Sequence, residues 1–148
     1  MFKYINYINL LFWSLYALGI FRRRVRAHGF FTVGNARNIE IGGGVSINAG
    51  VYIQGRNHVI IGNNVVISRS VMIFDAGRSI SQRDLHDCKS VSIGDRCWIG
   101  AGAIILPGVV LGDDVIVGAG SVVTKSFSSC SVIAGNPAKV VSLAKSDE

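Results

Sequence analysis

Proline is nearly missing from this chain of 148 residues, with 2 in all, although glycine reaches 18. Disordered and linker-like chains are rich in both, so this composition favours a packed domain. Charge is scarce too. Only 16% of residues are charged against 49% hydrophobic, which again excludes a disordered polar chain. Cys88, Cys97 and Cys130 are odd in number and lack metal-ligand spacing. They form no disulfide framework and suit a reducing compartment. Cys97 falls where Val or Ala stands elsewhere in a repeat, which marks it as a small buried hydrophobe. The net charge of +6 is local: Lys3, Arg22, Arg23, Arg24 and Arg26 supply five of the 15 basic residues, leaving ten against 9 acidic ones. No basic run remains beyond the N-terminus to serve a nucleic acid.

Residues 4–21, YINYINLLFWSLYALGIF, carry no charge, and RRRVR follows. That length sits at the lower edge for a membrane span, and Asn6, Asn9 and Ser14 weaken a span further. No small-residue cleavage site follows, and the cationic cluster is on the wrong side for a secretory signal. Three alternatives stay open: a hydrophobic helix covering the open end of the fold, a helix lying in a membrane interface through residues 1–26, or a span. In both membrane cases the following domain lies in the cytoplasm.

Beyond that segment the chain has a six-residue beat. Ile41, Ile47 and Ile53 keep it, as do Ile61, Ile67 and Ile73, and then Ile93, Ile99, Ile105, Leu111, Val117 and Val123. A second row of small or β-branched residues lies two positions earlier: Val45, Val51, Val59, Val65, Val71, Val91, Cys97, Ala103, Val109, Val115 and Ser121. Period six fits neither a helix nor a continuous strand. It fits short strands with two inward side chains each, joined by tight turns of Gly, Asn and Asp. Three such sides close a triangle, so a coil takes 18 residues, and about four coils stack into one core. The beat stops between Ile73 and Ile93, in IFDAGRSISQRDLHDCKSVSIG.

These repeats, with the blocks WIGAGAIILPGV, VGAGSVVTK and AGNPAKV, resemble the hexapeptide-repeat acyltransferases, and within them the sugar and polysaccharide O-acetyltransferases. The resemblance covers roughly residues 30–141. It implies an all-β fold, a left-handed parallel β-helix, with an N-terminal hydrophobic helix and basic segment over 1–29 and a tail over 142–148. Handedness comes from the resemblance alone, because the general crossover rule favours the right hand.

The resemblance further implies a homotrimer with acetyl-CoA lying along the coils in the clefts between copies. Ala101 and Ala119, each between glycines, match the positions where pantetheine meets flat backbone. Thr124 and Lys125 match the family's cofactor-binding TK after the GAGS block, and Lys139 matches its basic residue after GNPA; the two lysines would meet the CoA phosphates. Read without the resemblance, the alanines also simply permit tight turns and the lysines are ordinary solvated charges. A sugar hydroxyl needs a base as it attacks a thioester, usually a histidine. The family's histidine sits in the excursion that breaks the beat, where this chain has Asp75, Ala76, Gly77 and Arg78. Arg78 holds the histidine's position, and a guanidinium is no general base.

Three explanations stand side by side. His86, in the same loop, is the base; or the site is degenerate and the chain is a CoA-binding or structural subunit; or Arg78 binds an acidic acceptor sugar. Asp75 would orient the base or the acceptor hydroxyl, or is a plain turn residue. Trp98 points away from the interior, toward substrate or toward trimer packing. A zinc site like that of the γ-class carbonic anhydrases is excluded, since His28, His58 and His86 are about thirty residues apart and two ligands would need to be close in sequence. The resemblance thus implies an acetyl-CoA-dependent O-acetyltransferase of surface polysaccharide biosynthesis, and the composition and spacing add no metal and no nucleic-acid partner.

Overall fold

The computed structural model describes residues 15–21, 25–78 and 86–143, and they wind into a three-sided solenoid. The first coil contributes β1 (Arg26–His28), β2 (Thr32–Val33) and β3 (Ile39–Ile41). The second contributes β4 (Ser46–Asn48), β5 (Tyr52–Ile53) and β6 (Val59–Ile61). In the third, β7 (Val66–Ile67) and β8 (Met72–Ile73) precede the hairpin strands β9 (Ala76–Arg78) and β10 (His86–Cys88), and β11 (Val91–Ile93) closes the turn. The fourth holds β12 (Trp98–Ile99), β13 (Ile104–Ile105) and β14 (Val110–Leu111). The last holds β15 (Ile116–Val117) and β16 (Val122–Val123), followed by β17 (Ser131–Gly135) and β18 (Ala138–Leu143).

The strands of the coils pair in parallel with their counterparts one coil away, giving three sheets, and β9 and β10 form a separate antiparallel pair. Sheet I runs β1-β4-β7-β12-β15-β17 and ends on antiparallel β18. Sheet II runs β2-β5-β8-β13-β16, and sheet III runs β3-β6-β11-β14. The solenoid is the β-helix expected from the repeat.

Register explains why the rhythm folds. On sheet I, Ala27, Ile47, Ile67, Ile99, Val117 and Ile133 stack in one column. On sheet II the column is Val33, Ile53, Ile73, Ile105 and Val123, and on sheet III it is Ile41, Ile61, Ile93 and Leu111. All are buried except half-buried Val33, and so is the whole second row from Val45 to Ser121. Cys97 is buried as expected; burial pushes its thiol up to about 11, and its Sγ lies 3.1 Å from the Gly112 carbonyl.

The coil length departs from the expected 18 residues. Eighteen separate Ile99 from Val117, but 20 separate Ile47 from Ile67. The extra pair sits at the II–III edge, where residues 34–38 and 54–58 make five-residue turns and 106–108 make a three-residue turn. His58 lies inside the second coil, in the second of these turns. The last side is shortened. Phe127, buried, bridges to Leu111 and continues the sheet III column without a preceding inward residue. With that side counted, five coils form instead of four.

Helix α1 (residues 15–21) lies against the first coil. Ala17 is buried in the core, and the rings of Tyr16 and Phe21 stand 5.4 and 6.0 Å from the ring of buried Phe31. Residues 15–21 thus pack over the first coil. No helix among the described residues is long and apolar enough to cross a membrane. The expectations for residues 1–14, for Arg22, Arg23 and Arg24, and for residues 144–148 lie outside the described residues.

The III–I edge is tied by a side-chain ladder. The Asn63 Oδ1 accepts from the Gly43 N–H at 2.9 Å, Asp95 Oδ1 from Asn63 at 2.6 Å, Asp113 Oδ1 from Asp95 at 2.8 Å, and Ser129 Oγ from Asp113 at 3.0 Å. Asn64, Arg96, Asp114 and Cys130 all turn with φ between 56 and 59°, a region costly for most side chains and favoured by Asn and Asp. Arg96 donates two bonds to Asp114, at 2.8 and 2.7 Å. The Asn63 N–H holds the Asp95 carboxyl below the usual carboxylate range, and the Arg96 guanidinium does the same for Asp114. A folded-state pKa below the unfolded one stabilises above the unfolded pKa and is lost as pH falls. Urea midpoints should therefore decline as pH drops below about 4. The D95N/D114N variant should be less stable at neutral pH and show a flatter acid decline; equal slopes for the two proteins would refute this.

Candidate active site

The three edges of the prism differ in chemistry. At the I–II edge the turns are 48–50, 68–70, 100–102 and 118–120. Gly102 donates to the Arg69 carbonyl at 2.9 Å and Gly120 to the Ala101 carbonyl at 2.8 Å, so Arg69, Ala101 and Ala119 lie on successive coils. Ala101 and Ala119 are exposed. Gly102 and Gly120 both have φ of 67°, and a Cβ at either would meet nothing within 4 Å. The strip is therefore bare backbone facing outward. At its far end Ala134 pairs with Lys139 of β18, and Ala134 lies against Gly118, so exposed Lys139 belongs to this edge.

Thr124 and Lys125 are exposed at the II–III edge instead. The Lys125 Nζ stands 5.6 Å from the centre of the Phe127 ring, a cation–π contact. The structure does not bring Thr124 and Lys125 together with Ala101 and Ala119 in one chain, because sheet II lies between the two edges.

The II–III edge also carries the excursion. Strands β9 and β10 pair antiparallel, and their register sets His86 opposite Arg78. The two residues that compete for the base position in the sequence are thus direct neighbours across a ladder. Arg78 is exposed.

Asp75 is fully buried at the foot of this hairpin. Its Oδ1 accepts from the Arg56 N–H at 2.9 Å and its Oδ2 from the Asn57 N–H at 2.6 Å. Both oxygens hold the turn of the coil beneath. Gln54 adds a bond upward, its Oε1 accepting from the Ala76 N–H at 3.0 Å. Asn38 donates to the carbonyls of Gly55 and Arg56, both at 3.1 Å. Gln54 and Asn38 were not singled out from the sequence. The available signal was their place in the two-residue insertions that break the hexad at this same corner.

The other aromatic and histidine side chains lie apart. Trp98 is 54% exposed on the outer face of sheet I and donates from Nε1 to the Ser68 Oγ at 3.1 Å. His58 Nε2 pairs with Glu40 at 3.2 Å, and His28 is exposed on β1. Among the described residues no group of three His, Cys, Asp or Glu side chains is placed to hold a metal.

Comparisons with known proteins agree with this geometry. Residues 90–125 match the family described as the hexapeptide repeat of succinyl-transferase. The chain is 34% identical over 121 residues to an Escherichia coli (strain K12) protein named by inference as a lipopolysaccharide biosynthesis O-acetyl transferase, covering 82% of this chain and 58% of that one. It is 32% identical over 115 residues to the galactoside O-acetyltransferase of Lactococcus lactis, covering 75% and 56%. A hexapeptide-repeat acetyltransferase of Vibrio cholerae, solved in complex with acetyl-CoA, superposes with a TM-score of 0.77 at 26% identity, over 88% of this chain and 76% of that one. The chain spans a little over half the length of the curated relatives it matches.

Replacing Asp75 by Ala removes a buried carboxylate and strips the part-buried Arg56 and Asn57 N–H groups of their acceptors. The loss should be about 1–3 kcal/mol per group, read as a lower urea midpoint with unchanged m. A D75A protein as stable as the parent would show that the carboxylate is not what holds this corner.

Proposed function

We propose that this hexapeptide-repeat β-helix is an acetyltransferase that moves an acetyl group from acetyl-CoA to a sugar hydroxyl in surface polysaccharide biosynthesis. One observation carries the proposal: the outward strip of bare backbone at Ala101 and Ala119, open on its solvent side. A flat strip of that kind accepts a narrow chain such as pantetheine at van der Waals distance, and a large side chain there would block it. The Vibrio cholerae neighbour solved with acetyl-CoA supports the cosubstrate, and the names of the two curated relatives support the acceptor class.

The working unit is a homotrimer. The proposed site residues divide between two edges, so a complete site needs the I–II edge of one copy beside the II–III edge of the next. Three copies close that heterologous contact into a ring. Thr124, Lys125 and Lys139 then meet CoA phosphates, the lysines as point charges. His86 takes the proton of the acceptor hydroxyl as its oxygen bonds to the thioester carbonyl carbon. The carbon–sulfur bond breaks, and the proton passes to the departing thiolate. Asp75 acts beneath this chemistry by fixing the corner from which the hairpin leaves. Arg78 in the expected position of the base favours one alternative, a catalytically degenerate subunit that still binds CoA.

Incubation with labelled acetyl-CoA and a panel of sugar acceptors should release CoA. H86A should lower kcat by about 10²–10⁴-fold while the Kd for acetyl-CoA stays the same. Ala119→Phe should abolish acetyl-CoA binding while each chain keeps its fold, read as an unchanged far-UV circular dichroism spectrum, since the side chain lies outside the core. No binding at millimolar acetyl-CoA sinks the transferase; binding without turnover selects the degenerate subunit; full turnover by H86A moves the base elsewhere.

A further inference from the structure

Stacking sorts the charges of this chain by edge, which the sequence order conceals. Asp95, Asp113 and Asp114 all lie on the III–I edge, where Arg96 pairs with Asp114 at 2.7 Å. Arg37, Arg56 and Arg78 all lie on the II–III edge, on the first, second and third coils. Arg56 is tied to both neighbouring coils: Asn38, next to Arg37, holds its carbonyl, and Asp75, three residues before Arg78, holds its N–H. Lys89, on the return from the hairpin, donates its backbone N–H to the Asp75 carbonyl at 3.0 Å and lies on the same edge. Successive coils rise by roughly 5 Å, so Arg37 and Arg56 follow one another along the edge, and Arg78 stands three residues beyond Asp75 on β9.

The row is open to a ligand. Arg37, Arg56 and Arg78 are exposed, and among the described residues no carboxylate pairs with them. Asp75 and Glu40, acids near this edge with described side chains, are already engaged. Asp75 is buried with both oxygens on backbone N–H groups, and Glu40 is held by His58 at 3.2 Å. The platform is built rather than incidental. The two-residue insertions lengthen this corner in the first two coils, and the side chains of Asn38 and Asp75 clamp the Arg56 turn from below and above.

We infer that the II–III edge binds a linear acidic glycan, one whose sugars carry carboxylates, and feeds it toward the β9–β10 hairpin. Guanidinium forks match carboxylates in planar, two-bond geometry, which suits Arg at all three positions. A row along an edge fits an extended chain, whereas a membrane surface calls for charge spread over a face. Arg78 then serves as the last acceptor contact beside His86, which accounts for a guanidinium where the resemblance leads one to expect a base. The inference names the acceptor class of the proposed transferase and rests on that proposal only for the fate of the bound glycan.

The test is fluorescence anisotropy of the full chain with a labelled oligogalacturonate, against a neutral dextran of equal length and a DNA duplex of equal charge. The acidic glycan should bind, weakening with added salt as screening predicts. The R37Q/R56Q variant should bind it about tenfold more weakly, the loss expected when charge-assisted bonds worth about 1.4 kcal/mol are removed. R96Q, the same kind of charge change on the opposite edge, should bind as the parent does. Equal binding of dextran, unchanged affinity in R37Q/R56Q, or duplex DNA bound as tightly as the glycan would each overturn the inference. Acetyl-CoA binding measured on the same samples separates the two claims. Glycan binding without acetyl-CoA binding defeats the transferase alone, and acetyl-CoA binding without glycan binding defeats the polyanion edge alone.

Discussion

Vertical stacking is the constraint on which everything else in this molecule depends. A single coil offers two inward side chains per side and cannot enclose them. Its core exists only because the coil above repeats the same register, so that Ile67 sits over Ile47 and under Ile99. The parallel ladders satisfy the backbone along the stack, and the columns of Val and Ile exclude water between coils. Even Ser121, which replaces an aliphatic on the inward row, obeys the constraint. It is fully buried and its Oγ accepts from the Gly135 N–H at 3.1 Å. Both ends of the stack are covered, by α1 against Phe31 at one and by β18 folding back antiparallel at the other.

Because the faces repeat, individuality is confined to the corners. The III–I edge is the most regular, with an acceptor side chain at the same place in Asn63, Asp95, Asp113 and Ser129. The I–II edge is the smoothest, carrying Ala101 and Ala119 on bare backbone. The II–III edge takes all the irregularity: two insertions, the long hairpin, and the shortened last side that ends in Phe127. Concentrating departures on one edge leaves the columns unbroken. The excursion from Ile73 to Val91 adds residues without disturbing the pairing of β11 with β6 or β14. A solenoid can therefore grow a functional loop from a corner with little cost to its core.

Much of the candidate site was legible before the fold was known. Ala101, Ala119, Thr124, Lys125 and Lys139 stand in motif blocks close in sequence, and Arg78 was visible as a guanidinium where a base was expected. Less legible was how these groups divide. Thr124 is five residues from Ala119, yet the turn of the chain through β16 carries it to a different edge. His86 seemed eight residues removed from Arg78, but the hairpin folds it directly opposite. Asp75 had the look of a turn residue or an orienting acid. Its burial and its hold on Arg56 and Asn57 depend on a turn 18 residues earlier in the chain, a distance that no local pattern reports.

The amino-acid order alone determined the three-sided stack, the inward and outward alternation and the small residues of the I–II edge, because each of these is a periodic property that a few neighbouring residues express. Tertiary structure alone decided which edge each departure falls on. A two-residue insertion shifts the coil length from 18 to 20, and from then on only the register between coils says which residues are neighbours. Arg37, Arg56 and Arg78, spaced irregularly along the chain, fall on one edge for that reason, while Asp95, Asp113 and Asp114 fall on another. Charge in this protein is arranged by stacking, and stacking is a long-range hydrogen-bonding outcome that composition cannot reveal.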